Sequence, residues 1–157
     1  RRFSKYPYYF SLFSSCNNLF GPRRVPEKIA GQGYWCGRCA KCVFIFASLS
    51  AFLKRDVVIN IVGEDLYSDS NLMPMFRRLL GLEGDKPFDC VGVSDEMIVA
   101  MHEARATGAY ADTPAMELID EALRRSGKSI DDMRRDVFSF KPSLPIPEAF
   151  AKCHEKS

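Results

Sequence analysis

The most apolar stretch of the chain runs from Val43 to Leu53. Val43, Phe44, Ile45, Phe46, Leu49, Phe52 and Leu53 lie around every side of a helix drawn from Cys39 to Lys54. A helix that is apolar all round belongs inside a larger body, and the pattern predicts packing against a sheet that lies outside these residues. The stretch is too short to cross a bilayer. Upstream, the Tyr- and Phe-rich run Tyr8 to Ser14 reads as an extended segment. Asp56 to Val62, stopped by Gly63, fits a short strand or a short helix equally well. Asn71 to Leu80 predicts a helix closed by Gly81. Ser94 is the expected cap of a helix through Ala106, closed by Gly108. Thr113-Pro114 supplies a cap and a proline at the first helical position, and that helix runs to Arg125 before Gly127. Glu117, Asp120, Glu121, Arg124 and Arg125 on it suit pairing within the helix at i,i+4. Ser129-Ile130-Asp131-Asp132 opens another helix ending near Val137. Pro142, Pro145 and Pro147 precede a short terminal helix, Glu148 to His154. The fold class expected is mainly α, with a small β or loop region around the cysteines.

The 157 residues suffice for one domain with a real core. They divide into a cysteine-bearing region, 1–42, and a helical region, 43–157. The net charge of +2 comes without a block of one sign, so nothing marks nucleic acid or an anionic membrane as a partner. No signal peptide is recognisable, and the cytoplasm is the expected location. The chain opens Arg1-Arg2-Phe3 without an initiator Met. It reads as a piece of a longer protein or as a trimmed chain, and function is expected to depend in part on residues outside it.

Cysteines change this picture most. Cys36, Cys39 and Cys42 stand at three-residue spacing in Trp35-Cys36-Gly37-Arg38-Cys39-Ala40-Lys41-Cys42, and Cys16 stands upstream. Three thiolates from one turn plus a fourth suit tetrahedral zinc. Gly37 lets the backbone curl so that its amides face the sulfurs. Buried free cysteine is the competing reading, and the crowding of three within seven residues beside Gly, Arg and Lys argues against it. Cys16 is the expected fourth ligand; Cys90 is the alternative, and Cys153 also exists. Four thiolates close the shell, so the zinc expected here is structural. Arg38 and Lys41 alternate with the cysteines and suit compensation of a doubly negative site. His102 and His154 have no spaced partner and are expected to be surface or helix-packing residues, not ligands.

The set Ser15-Cys16 … Cys36-Gly37-x-Cys39-x-x-Cys42 resembles the zinc-binding end of the adenine-nucleotide α-hydrolase (PP-loop) enzymes, including the 7-cyano-7-deazaguanine synthases. The tryptophan-led form Trp35 to Phe44 is similar to the MurL family of UDP-N-acetylmuramoyl-L-alanyl-L-glutamate epimerases. So are Lys86-Pro87-Phe88-Asp89-Cys90-Val91-Gly92 with Ser94-Asp95-Glu96, and Phe3-Ser4-Lys5-Tyr6-Pro7 leading into Phe13 to Asn17. The resemblance covers residues 3–104. It implies the C-terminal part of a larger α/β, HUP-like enzyme. That enzyme would invert the terminal L-Glu of UDP-MurNAc-L-Ala-L-Glu with ATP and Mg²⁺. On this reading Arg38, Lys41 and Lys86 are candidate substrate contacts, and Cys90 is a candidate proton-transfer group. The superfamily's phosphate loop, Ser-Gly-Gly-x-Asp-Ser, is absent; Leu66-Tyr67-Ser68-Asp69-Ser70 lacks its glycines. ATP and Mg²⁺ are therefore expected to bind a nucleotide domain upstream of these residues. The alternatives are a deazaguanine-synthase-like ligase and a zinc module that binds a partner protein through the apolar helix.

Overall fold

The computed structural model describes residues 2–19, 35–85, 87 and 91–139. Among them are six α-helices and no strand: α1 (Ala40–Ser50), α2 (Arg55–Val62), α3 (Met73–Leu79), α4 (Ser94–Ala106), α5 (Leu118–Ser126) and α6 (Ile130–Phe138). The helical part of the expectation holds. The β part does not: Tyr8 to Ser14 is not extended. Pro7–Tyr9 forms a 3₁₀ turn, as Phe3–Lys5 does before it, and the Phe10 N–H reaches back to the Pro7 carbonyl at 3.1 Å. Pro7 presets the φ that such a turn requires.

The all-round apolar helix is α1, and its partners belong to this chain. It packs on α4 most extensively, then on α2 and α3. Val43, Phe46 and Ala47 are fully buried. Phe46 meets Tyr67 edge-on with ring centres 5.0 Å apart; Tyr67 in turn meets Tyr110 at 5.0 Å and Phe76 at 5.6 Å. Burial raises both phenols above their ordinary range. Among the described residues, helices of this chain cover one side of α1, while Phe44 and Ile45 stay half-buried and Phe52 is exposed.

Local chemistry sets the helix ends. Residues 56–62 resolve as helix because Gly63 adopts φ +99° and its N–H closes on the Ile59 carbonyl at 2.7 Å. Helix α3 starts two residues later than Asn71, since two aspartates organise 3₁₀ turns before it. The Asp65 carboxylate accepts from the Tyr67 N–H at 3.1 Å, and that of Asp69 from the Asn71 N–H at 2.9 Å. Ser94 is the first residue of α4 and not its cap. Val93 is the cap, and the Glu96 side chain returns to the Val93 N–H at 2.9 Å. Thr113 is not a side-chain cap either: its hydroxyl donates to the Tyr110 carbonyl at 2.8 Å, and a 3₁₀ turn, Pro114–Glu117, leads into α5. Ser129 does cap α6, accepting from the Asp132 N–H at 3.1 Å.

The charges of α5 turn outward from their own helix. Arg77 of α3 pairs with Glu121 at 3.2 Å and Arg105 of α4 with Asp120 at 2.9 Å, while Arg125 donates to the Leu82 carbonyl. Within the helix, Arg124 reaches only the Asp120 carbonyl, at 3.3 Å. The expected i,i+4 pairs give way because neighbouring helices offer partners of opposite charge. The terminal helix expected at Glu148–His154 lies outside the described residues, as does the loop between Leu19 and Trp35.

Candidate metal centre

Four sulfurs meet where the N-terminal segment folds back on the start of α1. Cys16 ends that segment, Cys36 follows Trp35, Cys39 caps α1, and Cys42 sits one turn inside it. Helical spacing aims Cys39 and Cys42 to the same side. Gly37, at φ +67°, bends the chain between Cys36 and Cys39. A side chain there would be strained at that φ and would also strike the Glu64 carboxylate. Aromatic packing holds the far strap in place: Phe13 meets Trp35 at 5.1 Å and Phe3 at 4.4 Å.

The ligand atoms of Cys16, Cys36, Cys39 and Cys42 all lie within 4.8 Å of one another. Cys36 Sγ is 3.7 Å from Cys42 Sγ, and Cys39 Sγ is 3.4 Å from Cys42 Sγ. A tetrahedral ion with metal–sulfur bonds of about 2.3 Å sets its sulfurs about 3.8 Å apart. The cluster therefore fits a small thiolate-preferring ion with little movement, and it can hold one. Cys16 and Cys42 are fully buried and Cys36 nearly so; Cys39 is half-buried at the edge.

The surroundings suit negative sulfur. The Cys36 N–H donates to Cys16 Sγ at 3.4 Å, the Arg38 N–H to Cys36 Sγ at 3.4 Å, and the Asn18 amide to Cys36 Sγ at 3.3 Å. The thiols add to this. Hydrogen bonds from Cys39 and then Cys42 pull Cys36 down to about 3, while sharing that bond with Cys36 pushes Cys42 far up. An incoming cation replaces shared protons in a site already built to stabilise charge.

Other candidates are placed differently. The Arg38 guanidinium turns to acids, pairing with Asp69 and with Glu64 at 3.3 Å; its backbone, not its side chain, contacts sulfur. Lys41 is half-buried on the first turn of α1. Lys86, Asp89, Cys90 and Cys153 lie outside the described residues, so Cys16 is the fourth sulfur among those described. His102 sits 4.0 Å from Glu103, whose carboxylate also lies 2.9 Å from Arg134 Nε. The residues that sequence reasoning missed are Asn18, Glu64 and Asp69. Asn18 is legible in hindsight, two positions beyond Cys16; the two acids are not, being 26 and 31 residues from Arg38. Beside the centre opens a cleft of about 270 Å³ lined by Phe10, Ser11, Phe13, Trp35, Val57, Asn60 and Ile61, none of them charged.

A helical domain closed at one end by a four-cysteine knuckle is the class that the fold and site define. The chain belongs to the family described as the MurL C-terminal domain, whose model matches residues 12–134. The match extends past residue 104, taking in α5 and part of α6. Three similar proteins share one name, UDP-N-acetyl-alpha-D-muramoyl-L-alanyl-L-glutamate epimerase. That of a Micromonospora species is 33% identical over 97% of this chain and 32% of its own length. That of Salinispora tropica is 32% identical over 78% of this chain and 26% of its own. That of Xanthomonas oryzae pv. oryzae is 38% identical over 64% of this chain and 22% of its own. The chain thus spans at most about a third of these relatives. No solved structure matches it.

Proposed function

We propose that this chain is the zinc-bearing part of an epimerase that inverts the terminal L-Glu of UDP-MurNAc-L-Ala-L-Glu to D-Glu during peptidoglycan precursor synthesis. The observation that carries the reading is the family match over residues 12–134, in which the four-cysteine cluster lies. Zinc is the ion proposed, because four thiolates at these spacings suit it. A filled tetrahedral shell leaves no position for water, so its role is structural. It ties the strap ending in Cys16 to the start of α1.

The proposed reaction uses ATP and Mg²⁺, held by a nucleotide domain outside these residues. Removing the α-proton of glutamate beside an ionised carboxylate would place two negative charges together. Attack of that carboxylate on the α-phosphorus of ATP, with loss of pyrophosphate, removes its charge and makes the carbonyl an electron sink. A general base then takes the α-proton, and a proton delivered to the opposite face gives the D-centre. Water then cleaves the acyl adenylate, which releases AMP and leaves D-Glu attached in UDP-MurNAc-L-Ala-D-Glu. Lys86 and Cys90 are the candidate substrate-binding and proton-transfer groups in this chain, and Arg38 and Lys41 are further candidate substrate contacts. In the present fold Arg38 would have to exchange Glu64 and Asp69 for a diphosphate.

The test uses the full-length parent protein with UDP-MurNAc-L-Ala-L-Glu, ATP and Mg²⁺ in deuterated water. The expected result is D-Glu after acid hydrolysis, one AMP formed per turnover, and deuterium at Cα. ATP consumption without D-Glu would move the substrate elsewhere. No ATP consumption would overturn the enzyme reading.

A further inference from the structure

We propose that Cys39 and Cys42 form a redox-sensitive pair: a peroxide oxidises them to a disulfide and thereby releases the metal. The inference rests on the reading that the cluster holds zinc. Three observations point to this pair. Their sulfurs lie 3.4 Å apart, against 3.7 Å for Cys36 and Cys42. Cys39 alone of the four is only half-buried, whereas Cys16 and Cys42 are sealed and Cys36 nearly so. The pair also spans the first turn of α1, with Cys39 at the cap and Cys42 three residues on. A Cys-x-x-Cys turn at a helix N-terminus can close a disulfide without moving the helix, and its outer cysteine is the one reached by solvent.

The chemistry balances with hydrogen peroxide as oxidant. The Cys39 thiolate attacks one peroxide oxygen; an S–O bond forms, the O–O bond breaks, and hydroxide leaves as water after protonation. The Cys42 thiolate then attacks the Cys39 sulfur; the S–S bond forms, the S–O bond breaks, and a second water leaves. Two thiolates lose two electrons, and peroxide gains them with two protons. Only Cys16 and Cys36 then remain as ligands, too few to retain the ion. The strap ending in Cys16 loses its covalent-strength anchor, although Phe13 on Trp35 still holds it in part. Sealed neighbours matter here, because they steer oxidation to one pair and leave the reduced site recoverable.

The experiment uses the full-length parent protein, with zinc measured by mass spectrometry before oxidation. Peroxide is added stepwise, free zinc is followed with a colorimetric chelator, and disulfides are mapped on proteolytic peptides. The expected result is one zinc released per chain in step with a Cys39–Cys42 linkage, both reversed by dithiothreitol and added zinc. Replacement Cys39→His keeps a zinc ligand but removes the oxidisable thiol, and should slow release at least tenfold at equal peroxide. A map showing any pairing other than Cys39–Cys42, or zinc loss without any disulfide, overturns the proposal, as does unchanged release from the histidine variant. A parent protein that carries no zinc before oxidation overturns the metal reading, and the switch with it. Loss of epimerase activity has no part in these readouts, so the two readings fail separately.

Discussion

Each cysteine has its own weight in the cluster. Cys42 touches two other sulfurs and is fully sealed. Cys42→Ser should abolish stoichiometric zinc and lower the thermal midpoint by well over 10 °C, read by metal analysis and circular dichroism. The reason is scale: a structural zinc site contributes ~10–16 kcal/mol of apparent binding energy, as much as the whole net stability of a domain, roughly 5–15 kcal/mol. Gly37→Ala should cost about 1–2 kcal/mol, because an L-residue at φ +67° is strained; chemical denaturation of the zinc-loaded protein would measure it. Asp69 adds a pH term. The Asn71 N–H, with help from Arg38, holds its carboxyl below the ordinary range. Its folded value is thus lower than its unfolded one. The stabilisation is full above the unfolded value and is lost as pH falls through the folded one. Asp69→Asn should therefore destabilise the protein at neutral pH and make no difference in strong acid, as melting curves across pH would show. The cysteine spacing was readable because the four residues that matter are chemically distinctive and three are local. The grip of Asp69 and Glu64 on Arg38 was not, since any acid in the chain was an equal candidate.

At the scale of elements, α1 decides the fold. Its burial is predicted by composition, but the identity of its cover depends on how short helices pack. Phe46 is fully enclosed by α1's neighbours and by the rings of Tyr67 and Tyr110. Phe46→Ala should cost ~3–5 kcal/mol, the usual range for an aromatic removed from a closed core. Gly92 marks where the segment before α4 runs against α1. A β-carbon there would collide with the ring of Phe44 and the carboxylate of Glu96. Gly92→Ala should lower stability by about 1–3 kcal/mol through overpacking, and should do so less in a Phe44→Leu background. Equal losses in both backgrounds would contradict the contact. Helix boundaries followed local rules where caps were conventional, as at Ser129. They departed where a side chain three residues away did the work, as Glu96 does for Val93.

For the whole molecule, what stands out is how much of the proposed reaction lies outside it. The chain matches about a third of its relatives' length at most, and the sequence lacks a glycine-rich phosphate loop. Isothermal titration of these 157 residues with ATP should show no micromolar affinity, whereas the full-length parent should bind. No described helix is long and apolar enough to cross a membrane. The four-cysteine cluster joins two parts of the described chain: a strap of turns and the well-buried helix α1. Stripping the metal should therefore loosen residues 2–19 first, visible as faster amide exchange there than in α4.

The sequence alone determined the properties that depend on neighbours in the chain. It carried the helix-rich pattern, the glycine that lets the knuckle turn, the sulfurs at metal-ligand spacing, and the motifs that mark the family. These are local because hydrogen-bond periodicity, φ preference and ligand spacing act over a few residues. Tertiary structure alone decided what depends on distant segments. It packed α4, α2 and α3 against α1, brought Cys16 to a centre 20 residues away, and turned Arg38 toward acids instead of sulfur. It also left Cys39 as the one sulfur at the edge. Those outcomes come from packing and charge pairing, which compare many partners at once, and no single stretch of sequence contains that comparison.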